Sequence, residues 1–224
     1  MKKTILTLNL ILASLTIVAD MLYTTEVREL WMKGVASALF LTLGITNLIF
    51  AIKNKANLKF SIAMVIGLAV TMLADIILNL HFISGALIFA LGHICYFIAY
   101  CYLIRFNFKD LIPAVCIFIP STLIITLVPA FDFGGVLMEI ICIIYALIIS
   151  CMVGKTISNL IQKRTLSNII ITIGSMLFFI SDLMLLIDQF SNAPRLFGVL
   201  CLATYYPAQI LLAYSIYHNT LDLT

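Results

Sequence analysis

Residues 58–79 read LKFSIAMVIGLAVTMLADIILN, a run in which Lys59 and Asp75 are the charged side chains and apolar residues fall on every face. A helix of this length rises roughly 33 Å, enough to cross a hydrocarbon core of about 30 Å. A membrane β-strand would instead alternate apolar and polar side chains with period two. Similar runs flank it on both sides: Thr4–Leu22, Trp31–Ile52, Ser84–Ile104, Leu111–Val128, Gly134–Gly154, Asn168–Asp188 and Pro194–Tyr217. The sequence therefore predicts an all-α, polytopic membrane helix bundle of eight transmembrane helices, a single integral membrane domain over residues 1–224.

Composition excludes the alternatives. Hydrophobic residues make up 63% of the 224-residue chain and charged residues 10%, against about 45–50% and about 25% in soluble domains. A mean hydropathy of +1.18 agrees. There is too little polar surface to cover a water-soluble globule. The net charge of +3 is small and scattered, which excludes a nucleic-acid footprint. Cys95, Cys101, Cys116, Cys142, Cys151 and Cys201 all lie in apolar runs without CxxC or Cys/His spacing. They read as small hydrophobes, and neither a metal site nor a cofactor is expected. The first run follows Lys2 and Lys3, yet its apolar stretch is long and Val18-Ala19-Asp20 makes a poor cleavage site. It reads as a helix rather than a signal peptide.

Charge sets the orientation. With eight spans, the termini share a side with the second, fourth and sixth loops. That side carries Lys2, Lys3, Lys53, Lys55, Lys59, Arg105, Lys109, Lys155, Lys163 and Arg164, while the other carries Arg28, Lys33 and Arg195. The bias predicts cytoplasmic N- and C-termini in a bacterial plasma membrane. The loops are short, the longest running from Lys155 to Ser167. A repeat is also visible: Asp75-Ile76-Ile77-Leu78 near the end of the third span matches Asp182-Leu183-Met184-Leu185 near the end of the seventh. The helix after each carries tyrosine at mid-depth, Tyr96 in one half and Tyr205 with Tyr206 in the other. A four-helix period predicts two parallel four-helix repeats.

Ionisable groups inside a bilayer are costly and mark a site or a buried partner. At 1.5 Å per residue, Asp75 lies roughly 6 Å, and Asp182 and Glu139 roughly 9 Å, from the non-cytoplasmic ends of their helices. Asp20 and Lys33 lie nearer that surface, while His93, Tyr205, Tyr206 and Gln209 lie deeper. Polar groups of seven helices thus converge on the outer half or middle of the bundle and predict one cavity opening away from the cytoplasm. The inner half reads as comparatively bare of buried charge. Thr71, Asp75 and Asn79 stack on one helix face, His93, Tyr96 and Tyr100 on another, and Gln209 is a turn from Tyr205 and Tyr206. Asp20 and Glu139 read as helix-end charges or salt-bridge partners, and Lys33 as a residue that either snorkels or joins the site. The two aspartates are the strongest candidates for chemistry, being flanked by apolar turns, similar in depth and related by the repeat.

At these positions the chain resembles a known family. Asp75-Ile-Ile-Leu, Gly92-His93-Ile-Cys-Tyr96, Ser181-Asp182 and Thr204-Tyr205-Tyr206-Pro-Ala-Gln209, in this order and spacing, are similar to the motifs of the YhhN lysoplasmalogenase family. The resemblance runs from the second span to the eighth. Two positions depart from the family pattern: Ala74 stands where glycine usually precedes the first aspartate, and Lys33-Gly34 where Lys-Pro is usual. The resemblance implies hydrolysis of the vinyl ether bond of lysoplasmalogens to a fatty aldehyde and glycerophosphocholine or glycerophosphoethanolamine. The partners it implies are a lysophospholipid substrate and membrane lipids, with no obligatory protein partner.

The residues suit that reaction. Vinyl ether hydrolysis begins with protonation of the β-carbon, which leaves an oxocarbenium ion that water captures. A positioned acid and a nearby negative charge serve both needs, as in glycoside hydrolysis. Asp75 and Asp182 are expected to form this acid pair, acting in one lipid-accessible hollow. The pair would be undone by acids that point apart or are each locked to a separate basic neighbour. His93, Tyr96, Tyr205, Tyr206, Gln209, Asn79 and Glu139 are read as supporting groups. Lys33, with Arg28 or Arg195, is read as meeting a lipid phosphate, and the aliphatic chain as entering sideways between apolar helix faces. From the residues alone, a proton-coupled transporter of a small molecule or lipid fits as well, and a non-catalytic lipid-binding protein remains a third reading.

Overall fold

A computed structural model describes residues 2–223. They form eight helices, α1 (Lys2–Thr25), α2 (Leu30–Lys53), α3 (Leu58–Leu80), α4 (Phe82–Leu103), α5 (Leu111–Leu127), α6 (Val136–Gln162), α7 (Leu166–Phe190) and α8 (Leu196–Asp222), with a 3₁₀ turn at Phe108–Asp110 leading into α5. All eight are long and apolar enough to cross a membrane, and no strand occurs among the described residues. The protein is a multi-pass membrane helix bundle. Its surface confirms the solvent: Leu10, Ile11, Ile66, Leu87, Ile112 and Ile144 face outward, while Lys33, Asp75, His93, Asp110 and Lys155 are buried. That inversion of the water-soluble pattern leaves lipid as the outer medium.

Side-chain caps start several helices. Asn57 accepts from the Phe60 amide at α3, and Thr165 from the Asn168 amide at α7, each satisfying an N–H that has no partner within its own helix. Neighbour relations repeat with a period of four helices. The pairs α1–α2, α2–α3, α3–α4 and α2–α8 recur as α5–α6, α6–α7, α7–α8 and α6–α4. The symmetry is incomplete. α1 packs on α8 as well as α2, whereas α5 packs, among the described residues, on α6 and the 3₁₀ turn alone.

Tight helix contacts rely on absent side chains. At Gly85 an added Cβ would lie 2.3 Å from Leu78 Cα on α3, and at Gly154 one would lie 2.5 Å from Ala114 N on α5. In lipid, where apolar burial does not drive association, such backbone approach supplies packing energy. Gly85→Ala is expected to push α3 from α4 and lower stability by about 1–3 kcal/mol. Thermal unfolding of the purified protein in detergent reads this, and an unchanged midpoint would refute the close contact.

Two expectations need correction. The segment after Lys155 is not a loop, because α6 continues to Gln162 and leaves residues 163–165 as the linker. The longest connection between described helices is instead 128–135, between α5 and α6. Nor is the end of the bundle near the termini bare of buried charge. Lys155 Nζ meets Asp110 Oδ2 at 2.6 Å, and both side chains are buried. Asp110 also accepts from Ser158 Oγ, Gln162 Nε2 and the Asn107 amide. The pair ties the start of α5 to α6, so charge that reads as a loop cation is an interior staple.

Candidate active site

The opposite end of the bundle, away from the termini, contains a chamber of about 330 Å³. Its walls come from α1, α2, α3, α4, α7 and α8, and Asp75 and Asp182 both line it. Helix geometry places them: each aspartate sits one to two turns from the end of its helix, with its carboxyl turned inward among neighbouring helices. Asn79 lines the same chamber and donates through Nδ2 to the Asp75 carbonyl at 2.7 Å.

Each carboxylate is held by its own partners. Asp75 Oδ2 accepts from Ser37 Oγ at 2.6 Å and Tyr205 Oη at 2.7 Å, while Lys33 Nζ lies 3.7 Å from Oδ1. Two hydroxyl donors and an ammonium group thus surround this one carboxyl. Asp182 Oδ2 accepts from Tyr145 Oη at 2.7 Å and lies 3.1 Å from His93 Nε2, which is itself 2.8 Å from Tyr145 Oη. These three side chains close a triangle joining α4, α6 and α7. His93 Nδ1 is buried without a hydrogen-bond partner among the described residues. Asp182 Oδ1 makes no hydrogen bond among the described residues and belongs to a side chain that is 12% exposed, against 2% for Asp75.

The acids therefore meet in one hollow, yet each engages a basic neighbour of its own. This replaces the expected coupled pair with two separately held carboxylates. A cluster of aromatic rings connects the partners of the two acids. Phe178 stacks edge-on against Tyr205 at 5.3 Å and His93 at 4.7 Å, and Phe89 lies 5.8 Å from Tyr205 and 6.1 Å from Phe178. The crossing follows the repeat: the α3 acid bonds a tyrosine of α8, and the α7 acid a histidine of α4.

Other candidate residues divide into wall and support. Tyr205 lines the chamber. Tyr96 and Gln209 stand behind it, with Tyr96 Oη donating to Gln209 Oε1 at 2.8 Å and lying 3.4 Å from Thr71 Oγ1. Tyr206 is fully buried against Tyr205 and Phe40. Glu139 is placed apart: it sits half-buried in the first turn of α6 and does not line the chamber. No residue of α6 lines the chamber, so depth along that helix does not bring Glu139 to it. Lys33 is 6% exposed, so it faces inward rather than snorkelling. Sequence reading missed Tyr145, whose one available signal was a hydroxyl in the apolar run Ile140–Ile149 of α6.

Arg28 and Arg195 also line the chamber, so all three cations of this end of the bundle converge on it. Beside it runs an apolar cleft of about 60 Å³, walled by α4, α6 and α7. Chamber and cleft share Leu78, Phe82, Phe89, Asp182 and Leu185. Asp182 is the one acidic side chain in that shared wall. No group of three or more His, Cys, Asp or Glu suited to a metal occurs among the described residues.

Comparison with known proteins fits this arrangement to a family. The model of the YhhN family matches residues 34–216, from the first turn of α2 to near the end of α8. The chain belongs to the YhhN family. The match takes in Asp75, His93, Tyr145, Asp182, Tyr205 and Gln209 and begins one residue after Lys33. No curated protein and no solved structure matches the chain significantly. As a YhhN-family member it shares a class consistent with hydrolases.

Proposed function

We propose that the protein hydrolyses the vinyl ether bond of a single-chain alkenyl glycerophospholipid, as a lysoplasmalogenase does. The observation that carries the reading is the position of Asp182 where a cation-lined chamber meets an apolar cleft. A vinyl ether is itself the junction between a polar headgroup and a hydrocarbon chain. Phosphate in the chamber and chain in the cleft bring that bond to Asp182.

Asp182 in its acid form carries the proton on Oδ1, because Oδ2 already accepts from Tyr145 and faces His93. It gives that proton to the β-carbon, and the C=C π pair forms the new C–H bond. The oxocarbenium ion that results lies in a chamber that Asp75 also lines, and in this mechanism the Asp75 carboxylate supplies the negative charge that stabilises it. Water adds at the cationic carbon and returns a proton to Asp182. The hemiacetal then transfers its hydroxyl proton to the glycerol oxygen as the C–O bond breaks, yielding aldehyde and glycerophospho-alcohol. His93 and Tyr145 hold Asp182 in place and accommodate its change of charge.

Purified protein in detergent is expected to release long-chain aldehyde from 1-alkenyl lysophosphoethanolamine without any sealed compartment. Turnover that appears only across a membrane with an ion gradient would identify a carrier and refute the hydrolase. Replacing Arg28 and Arg195 together with alanine is expected to raise KM by about tenfold with little change in kcat, the loss of one charge-assisted hydrogen bond of about 1.5 kcal/mol.

A further inference from the structure

We infer that the cleft between α4, α6 and α7 is the path by which the lipid's hydrocarbon chain leaves the site sideways into the bilayer. The inference rests on the reading above for its occupant and on the cleft's own construction for its route. Apart from Asp182 and Tyr145 at its inner edge, the cleft is lined by apolar side chains, with Ala86, Met138, Ile141 and Leu186 along its length. From Phe82 to Phe89 on α4 and from Met138 to Tyr145 on α6 it extends roughly 10 Å along the helices. That is shorter than a leaflet of about 15 Å, so the cleft holds the near part of a chain and leaves the rest in lipid.

Its rim toward the aqueous surface is closed. Phe190 meets Phe82 edge-on at 5.6 Å and Phe133 at 4.9 Å, and the Asp132 amide donates to the Phe190 carbonyl at 2.8 Å. Its flank is not. Hydrogen bonds and ring contacts that join α4 to α6 occur at His93–Tyr145 and at Tyr100–Asn159, deeper in the bundle. Among the described residues, the helix that follows α4, α5, does not pack against it. Among the described residues no hydrogen bond or ring contact ties the first turn of α4 to that of α6, and α6 leaves Val136 and Leu137 facing outward there. An apolar slot that continues from a phosphate-binding chamber, capped toward water and untied toward lipid, suits one hydrocarbon chain.

The probe is a saturated 1-alkyl lysophosphoethanolamine with a diazirine on the headgroup-proximal part of its chain, photolysed with the full-length protein and mapped by peptide mass spectrometry. Adducts are expected on the cleft residues of α4 and α6, and Ala86→Trp, which fills the slot, should reduce them by about tenfold. Adducts confined to α1, α2 or α8, or a cleft left unlabelled, would overturn the route. The alkyl ether cannot be hydrolysed, so this readout is independent of catalysis. Cleft adducts with no aldehyde release from the alkenyl lipid would refute the reaction and sustain the path. In turnover, Ala86→Trp should slow cleavage of a long-chain alkenyl lipid and spare a two-carbon vinyl ether analogue. Equal slowing of both would also count against the path.

Discussion

Asp182→Asn is expected to lower aldehyde release by about 10²–10⁴-fold, the usual contribution of a positioned general acid, while the bundle stays folded. Asparagine keeps the shape and still accepts from Tyr145 and His93, so the triangle of α4, α6 and α7 survives. What it lacks is the proton on Oδ1. Single-turnover rates of aldehyde formation, measured beside thermal unfolding, separate the two effects. A variant that folds and retains most of its turnover would remove Asp182 from the chemistry. The equivalent change at Asp75 is a poorer probe. It leaves Lys33, 6% exposed and 3.7 Å from the carboxylate it faces, without a counter-charge. Lost activity there would mix lost electrostatics with lost stability.

Lys155→Met is expected to destabilise the protein by about 3–5 kcal/mol, the cost of leaving one member of a buried ion pair uncompensated. On the scale of domains this size, that is a fall of about 6–20 °C in Tm. The mechanism is specific. Lys155 is fully buried and donates to Asp110 at 2.6 Å, and the pair lies where α5 meets α6, the one α-helix that α5 packs against among the described residues. Removing the ammonium leaves the Asp110 carboxylate with Ser158, Gln162 and the Asn107 amide as neutral donors. Adding Asp110→Asn removes the stranded charge and is expected to recover at least half of the loss. A double variant no more stable than Lys155→Met alone would show that packing, not charge, holds this corner. Aldehyde release should change far less than stability, because the staple sits at the end of the bundle away from the chamber.

The fate of individual residues shows how far a linear reading reaches. Asp75 and Asp182 stand out because a carboxylate amid apolar turns is costly wherever it faces, and depth along a helix follows from residue count alone. Glu139 reads at a suitable depth and does not line the chamber, since depth says nothing of which helices wall it. Lys155 reads as a loop cation because α6 runs past the length a bilayer requires, and only a partner on another helix makes that extension tolerable. Tyr145 gives almost no signal, as a tyrosine in an apolar run serves equally well for packing.

What the sequence determined by itself is the solvent, the helices, their alternation across the bilayer and the end at which the polar groups gather. These follow from composition and rise per residue, which are local quantities. The tertiary structure decided which groups touch: Asp75 with Lys33 and Tyr205, Asp182 with His93 and Tyr145, aromatic rings linking those partners, and a cleft that meets the chamber at one acid. Such contacts depend on the rotation and tilt of helices far apart in the chain, and those are fixed only when close backbone approach and buried polar bonds are satisfied together.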